Sequence, residues 1–122
     1  DLRTVINRFA YNDKVDWEKE GKKQVIEGAK VHLEKLSTFL GSKKFFGGES
    51  PLMADFAAFD YIHCYLYVDK TIIPENLIEF MKRFMALPKI KAYMESSRFI
   101  SWPINGFIAT FGGSPREPKV EL

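Results

Sequence analysis

The sequence predicts a single all-α domain, a helical bundle of about five helices. Apolar residues recur at three- and four-residue spacing along most of the chain, and the alternation that is typical of strands is scarce. The 122 residues are about the commonest length for one domain, and 46% of them are hydrophobic, as in an ordinary globular protein. No internal repeat or low-complexity segment interrupts this pattern.

The first two predicted helices take up the N-terminal third of the chain. The apolar side of the first consists of Leu2, Val5, Ile6, Phe9 and Ala10. A break at Asn12-Asp13 separates it from a long second helix over residues 16–40, which Gly41 ends as a left-handed residue. Gly21 and Gly28 lie inside this helix, and each costs up to about 1 kcal/mol relative to Ala. Either tertiary packing offsets that cost or the front of the helix is frayed.

Three shorter helices are predicted after the loop at Gly47-Gly48. The third helix begins near Ser50 or Leu52 and ends near residue 68, because Ser50-Pro51 suits a cap followed by a proline at the first helical position. The fourth covers about residues 74–86, and Pro88 opens a short fifth helix. We expect the domain to cover residues 1–113 and residues 114–122 to form a flexible tail.

The composition of the chain argues against several classes of function. The chain has 18 Lys and Arg against 16 Asp and Glu, without the concentrated basic excess of a nucleic-acid binder. Nucleic acid is therefore not expected as a partner. No run of the sequence approaches the ~18 apolar residues of a membrane span, so a membrane is not expected as a partner either. The single Cys64 cannot form an internal disulfide and gives no sign of an oxidising compartment. The chain opens on Asp1 in a helical pattern, so we expect the natural polypeptide to start earlier.

The residues form no standard catalytic constellation. His32 and His63 have no second imidazole or cysteine at metal-ligand spacing, so no metal site is expected. Cys64 is interpreted as a small buried residue. Tyr11 is the more interesting side chain, because it closes the first helix. A phenol there can project into a cleft and donate a hydrogen bond to developing negative charge. The alternative is an amphipathic tyrosine at the edge of the core.

Several motifs resemble cytosolic glutathione transferases. Phe45-Phe46-Gly47-Gly48-Glu49, followed by Ala54-Asp55-Phe56 and Asp60, is similar to the W-F-A-G-D…V-D-F…Y-D stretch of that family. Residues 92–99, A-Y-M-E-S-S-R-F, followed by W-P-I-N-G at 102–106, resemble class mu in particular. The resemblance extends over about residues 1–113.

The resemblance implies a helical domain of the C-terminal type, whose thioredoxin-like N-terminal partner domain is absent from this chain. In the family the N-terminal domain binds glutathione and carries the tyrosine that stabilises the thiolate. The whole protein would be a cytoplasmic homodimer that conjugates glutathione, its co-substrate, to hydrophobic electrophiles in detoxification, with no metal. This chain would supply the electrophile half and would be inactive alone.

The resemblance also implies roles for individual residues. Tyr11 would be auxiliary, bonding the electrophile rather than activating the thiol. Asp1 would reach across the dimer to the α-amino group of glutathione on the other subunit. The electrophile pocket would be lined by Arg3, Thr4, Asn7, Tyr11, Asn105 and Gly106. Asn7 and Asn105 stand where class mu often has an aliphatic residue and a phenylalanine, so the pocket would be more polar.

Asp55 is expected to be buried near the start of the third helix and to be structural. The family places Thr or Ser three residues ahead of this aspartate, but Leu52 stands there and has no hydroxyl for a cap. Losing such a cap typically costs about 1 kcal/mol. Ser50-Pro51 is the expected replacement, by starting the helix earlier.

Two other functions remain open on the sequence. Helical domains of this kind also occur as non-catalytic interaction modules in translation-factor and synthetase assemblies, and fold does not fix function. A carrier that binds hydrophobic ligands without converting them is the other alternative, which the polar Asn7 and Asn105 weaken. Glutathione-dependent turnover would separate the enzyme from both.

Overall fold

The computed structural model describes residues 1–113, 120 and 122. Within them the chain forms five α-helices and no strand, apart from an isolated bridge between Phe45 and Gly48. The predicted all-α class is therefore confirmed. The expected tail at 114–122 falls mostly outside the described residues. The helices are α1 (Leu2–Ala10), α2 (Lys22–Leu40), α3 (Met53–Asp69), α4 (Glu75–Met85) and α5 (Pro88–Met94).

Helix α1 packs its apolar side against α2 through a glycine. Leu2, Ile6 and Ala10 of α1 are buried. A Cβ at Gly28 would lie 3.1 Å from the Cγ1 methyl of Val5, so the missing side chain lets the two helices approach closely. The close packing at Gly28 therefore offsets the conformational cost of a glycine inside a helix.

The predicted single helix over residues 16–40 has a different first turn. Residues Trp17–Gly21 form a π-helical turn ahead of α2, and the Asp16 carboxylate caps it by accepting from the Lys19 N–H at 3.1 Å. The wide turn buries Trp17, whose ring stacks on Phe111 with centroids 4.0 Å apart. A Cβ at Gly21 would lie 3.3 Å from Cε3 of that ring, so a small residue suits this position.

The core lies between α2, α3 and α4, with α1 joined to it by a buried hydrogen bond. The Tyr65 hydroxyl of α3 donates to the Leu2 carbonyl oxygen at 2.7 Å, and burial raises the pKa of this phenol well above its usual range. At the other end of the bundle, the Ser37 hydroxyl donates to Oδ1 of Asn76 at 2.6 Å, and Nδ2 of Asn76 donates to the Ser37 carbonyl at 2.9 Å. The largest fully buried side chains are Tyr65, Phe80, Phe84, Ile6, Leu33, Leu40, Ile62, Leu77, Met81, Val25 and Asp55.

The start of α3 agrees with the later of the two predicted positions, near Leu52. The helix begins at Met53, with Leu52 as its cap residue, so the expected earlier start at Ser50-Pro51 is wrong. Leu52 has no side-chain acceptor, and half of a capping box remains: the Asp55 carboxylate accepts from the Leu52 N–H at 2.8 Å. The other donor of the box, the Asp55 N–H, has no side-chain acceptor and instead donates to the Leu52 backbone carbonyl at 2.9 Å.

Candidate substrate site

The Tyr11 hydroxyl meets the C-terminal segment at the end of α1. Tyr11 is the C-cap residue of α1, and its phenol oxygen accepts a hydrogen bond from the Gly106 N–H at 2.8 Å. Tyr11 is 43% exposed, so a large part of the residue is accessible to solvent. Because the phenol oxygen is the acceptor in this bond, the hydroxyl proton is available to a ligand.

Residues 105–113 form a compact segment that is fixed to the end of α1. The Thr110 N–H donates to the Ala10 carbonyl at 2.7 Å, and the Ala109 N–H closes a turn by donating to the Gly106 carbonyl at 2.9 Å. The aromatic stack of Phe111 on Trp17 adds a contact with the π-helical turn. The position of Gly106 beside Tyr11 is therefore set by several independent contacts.

Asn105 helps to hold this segment together. Its side chain is 7% exposed, and Nδ2 donates to the Phe111 carbonyl at 2.9 Å. Its backbone N–H donates to the Gly112 carbonyl at 3.0 Å. Nδ2 and the backbone N–H of Asn105 both donate inside the loop, and its place in the wall of the pocket stays a prediction.

Arg3, Asn7 and Tyr11 recur at four-residue spacing and share one face of α1. Nη1 of Arg3 donates to Sγ of Cys64 on α3 at 3.7 Å. Oδ1 of Asn7 is buried and has no hydrogen-bond partner among the described residues. Thr4, in contrast, is exposed, and its N–H donates to Oδ1 of Asp1 at 3.0 Å. Of the expected lining residues, Arg3 and Asn7 therefore share the Tyr11 face of the helix.

Cys64 is buried, as its sequence context predicts. Burial raises the pKa of its thiol to about 11, and the nearby negative charge of Asp60 acts in the same direction. The positive charge of Arg3 opposes both effects but is the weaker influence. This thiol is therefore protonated at neutral pH and is not a nucleophile for the chemistry at Tyr11.

Asp1 lies at the edge of an apolar cavity of about 440 Å³ on another part of the surface. The cavity contains Phe39, which is 64% exposed, and Tyr61, which is 36% exposed. Oδ1 of Asp1 also caps α1, since it accepts from the Thr4 N–H and from the Thr4 hydroxyl at 3.2 Å. Asp1 thus lies away from the Tyr11–Gly106 contact, at the opposite end of α1.

Two further cavities have other linings. One of about 650 Å³ lies between α1 and the start of α2, and one of about 390 Å³ is lined by aromatic residues of α3, α4 and α5. Tyr11 and Gly106 line none of the three cavities. Within the described residues, no three His, Cys, Asp or Glu side chains form a group that could hold a metal ion. No helix in that part of the chain is long and apolar enough to cross a membrane.

The geometry adds a residue that the sequence did not single out. Phe107 follows Gly106 directly and is 90% exposed, next to Ile108 at 71%. The sequence does contain a sign of this exposed apolar pair, because two large apolar residues follow each other between Gly106 and Gly112.

The helical bundle matches a known domain. A family model described as the C-terminal domain of glutathione S-transferase matches residues 1–97. The chain therefore belongs to the glutathione S-transferase family, as a domain of the C-terminal type.

The similar curated proteins include class mu enzymes. The chain is 37% identical, over 99% of its length, to glutathione S-transferase class-mu 26 kDa isozyme 1 of Fasciola hepatica. It is 38% identical, over 94% of its length, to glutathione S-transferase Mu 3 of Homo sapiens. These matches cover 54% and 51% of the two relatives, so the chain spans about half the length of the curated relatives it matches. The predicted resemblance to class mu is confirmed.

Proposed function

We propose that this chain is the electrophile-binding half of a mu-like glutathione transferase. The observation that carries the proposal is the Tyr11 hydroxyl, held by the Gly106 N–H with its proton available. A glutathione-binding N-terminal half of the thioredoxin-like type would complete the cleft, and the length of the relatives supports such a half. The complete protein would act in the cytoplasm on hydrophobic electrophiles, with glutathione as co-substrate and no metal.

The reaction is attack of the glutathione thiolate on a soft electrophile, which forms a thioether. When an epoxide opens, its oxygen gains negative charge as the carbon–oxygen bond breaks. The Tyr11 O–H stabilises that charge by donating a hydrogen bond, and the Gly106 N–H keeps the phenol in place. Tyr11 is auxiliary because the thiolate is generated in the other half. Arg3 and Asn7 contribute polar groups along the same face of α1.

The complete protein would be a homodimer, with a second subunit over the cavity that contains Asp1, Phe39 and Tyr61. An apolar cavity with a largely exposed phenylalanine is typical of a surface that is covered in an assembly. Asp1 at its edge would then lie close to the partner, where its carboxylate could bond the α-amino group of glutathione.

The test of the Tyr11 role is Tyr11→Phe in the complete polypeptide that carries this chain. Loss of one hydrogen bond to a charged oxygen is worth about 1.5–3 kcal/mol, so kcat and kcat/KM for epoxide opening should both fall by roughly 10–100-fold. The KM for glutathione should stay nearly unchanged, because the thiol site lies in the other half. Steady-state kinetics with an epoxide substrate measures both quantities.

Tyr93→Phe is the matched control, because Tyr93 is 44% exposed and lies on α5. It should leave epoxide kinetics unchanged. Equal epoxide rates for the wild type and Tyr11→Phe would contradict the role of Tyr11. Absence of any glutathione-dependent turnover by the complete wild-type protein would contradict the enzyme itself and favour the interaction module or the carrier.

A further inference from the structure

The cavity of about 650 Å³ between α1 and the start of α2 has an apolar side and a charged rim. The apolar side is formed by Val5 and Phe9 of α1, both half-buried, next to Gly28 of α2. Its volume lies within the range of about 300–1,000 Å³ that is typical of small-molecule sites. Because Tyr11 and Gly106 do not line this cavity, it is a separate feature from the candidate substrate site.

Two of the charged residues at the rim are neutralised by close neighbours in the sequence. Nζ of Lys19 lies 3.5 Å from Oδ2 of Asp16, and Nζ of Lys30 lies 3.0 Å from Oε1 of Glu27. Lys19 and Glu27 line the cavity, so each of these two lining residues has its charge balanced from outside the lining. Neither of them contributes much net charge to a ligand site.

Arg8 and Lys23 are the positive charges of the lining that remain. Both are exposed, and within the described part of the chain no acidic side chain forms an ion pair with either of them. The Arg8 guanidinium lies over the apolar side, with its carbon 6.0 Å from the centroid of the Phe9 ring. The remaining carboxylate of the lining, that of Glu20, accepts a hydrogen bond from Nε2 of Gln24. Two cations against one carboxylate leave an excess of positive charge at the rim.

An anion with an apolar body suits both parts of this cavity. The apolar body gains free energy by leaving water for contact with Val5 and Phe9. A carboxylate forms charge-assisted hydrogen bonds with a guanidinium or an ammonium group, and Arg8 and Lys23 supply one of each. A small inorganic anion would leave the apolar side in water, and an uncharged apolar molecule would leave both cations unpaired.

We propose that the cavity between α1 and the start of α2 binds a monoanion with an extended apolar body, of the medium-chain carboxylate class. The carboxylate bonds Arg8 and Lys23, and the apolar chain packs against Val5 and Phe9. The site does not depend on the proposed transferase function, because the Tyr11–Gly106 contact takes no part in it.

The test is isothermal titration calorimetry of sodium decanoate into the complete polypeptide that carries this chain. The wild type should bind decanoate, and the double variant Arg8→Gln with Lys23→Gln should raise the Kd about tenfold, because two charge contacts are lost. Both residues are exposed, so circular dichroism should show an unchanged fold. Acetate carries the same carboxylate without the apolar body, and its Kd should be at least about tenfold higher than that of decanoate.

The matched control is Lys89→Gln with Lys91→Gln, which removes two positive charges from exposed positions of α5 outside the cavity. It should leave the Kd for decanoate unchanged. The proposal would be overturned if Arg8→Gln with Lys23→Gln left that Kd unchanged, or if the control raised it equally. Equal affinities for acetate and decanoate, or no binding of decanoate by the wild type, would overturn it as well. Because the titration requires no turnover, its outcome is independent of whether the polypeptide conjugates glutathione.

Discussion

Asp55 shows how one side chain can organise two segments. Its carboxylate is fully buried and accepts from the Phe46 N–H at 2.6 Å, the Gly47 N–H at 3.2 Å and the Leu52 N–H. The carboxylate thus joins the loop after α2 to the first turn of α3. Three backbone donors in this region depend on a single carboxylate, which makes Asp55 a determinant of folding rather than of catalysis.

We expect Asp55→Ala to lower the free energy of unfolding by roughly 3 kcal/mol or more, because buried donors left without acceptors cost about 1–3 kcal/mol each. Chemical denaturation monitored by circular dichroism measures this loss. Asp60→Ala is the control, since Asp60 is an exposed residue on the same helix and should change stability little. A well-folded Asp55→Ala protein with reduced activity would contradict the structural role.

At the scale of elements, the C-terminal segment is the part that connects packing with the candidate site. It has no regular helix between residues 95 and 113 and relies on turns and on contacts with α1 and the π-helical turn. Gly112 has a φ of +74°, a left-handed conformation that favours glycine. Gly113 has carbonyl oxygens where a side chain would be. The two glycines therefore allow the turn to close beside Tyr11.

We expect Gly113→Ala to displace the turn, because its Cβ would overlap the carbonyl oxygens of Gly106 and Ala109. Overpacking of this kind costs about 1–3 kcal/mol, and loss of the bond to Tyr11 should also lower the rate of epoxide opening. Thermal unfolding and epoxide kinetics measure the two effects.

Gly48→Ala provides the comparison for Gly113→Ala. Gly48 has a φ of +97°, but a Cβ there would have open space around it. The backbone strain should cost about 1 kcal/mol or somewhat more, with no change in the rate of epoxide opening. If Gly113→Ala also left that rate unchanged, the turn would not be what orients Tyr11.

The helices could be predicted from the sequence because their apolar spacing is a local property. Each predicted helix lies within a few residues of an observed one. The π-helical turn could not be predicted, because it depends on Trp17 packing against Phe111 at the other end of the chain. The expected earlier start of α3 at Ser50-Pro51 was wrong for a similar reason. The Asp55 carboxylate bonds the Leu52 N–H at the start of the helix, and the local preferences of Ser50 and Pro51 give no sign of this bond.

The candidate site could be predicted only in part. Tyr11 and Gly106 were selected through the family resemblance, but no sequence pattern indicates that they bond across 95 residues. Asn105 was assigned to the wall because its position matches the family. Its actual partner, the Phe111 carbonyl, is a backbone group that carries no sequence signal.

At the scale of the whole molecule, the chain has an apolar cavity near the start of α1 and the Tyr11–Gly106 contact at the end of that helix. The chain spans about half the length of its relatives. Exposed apolar residues near Asp1 and near Tyr11 lie at opposite ends of the same helix. In the proposed function these two regions would meet different neighbours, a second subunit at the Asp1 end and a glutathione-binding half at the Tyr11 end.

We expect Phe39→Glu to weaken the proposed dimerisation of the complete protein by at least tenfold, because it removes a ring that the second subunit would cover and places a charge in an apolar contact. Sedimentation velocity over a range of concentrations measures the change in the dimer dissociation constant. Ile100→Glu is the control, since Ile100 is 73% exposed at the aromatic cavity between α3 and α5. An unchanged dissociation constant for Phe39→Glu would show that the second subunit binds elsewhere.

The aromatic contacts of Phe111 give this chain an internal optical reporter. The sequence contains two tryptophans, and both lie against the same ring, Trp17 at 4.0 Å and Trp102 at 6.5 Å between centroids. The ultraviolet emission of these residues therefore reports on the C-terminal segment rather than on the bundle as a whole. A ligand that settles beside Tyr11 and shifts that segment would change the emission spectrum without any attached dye.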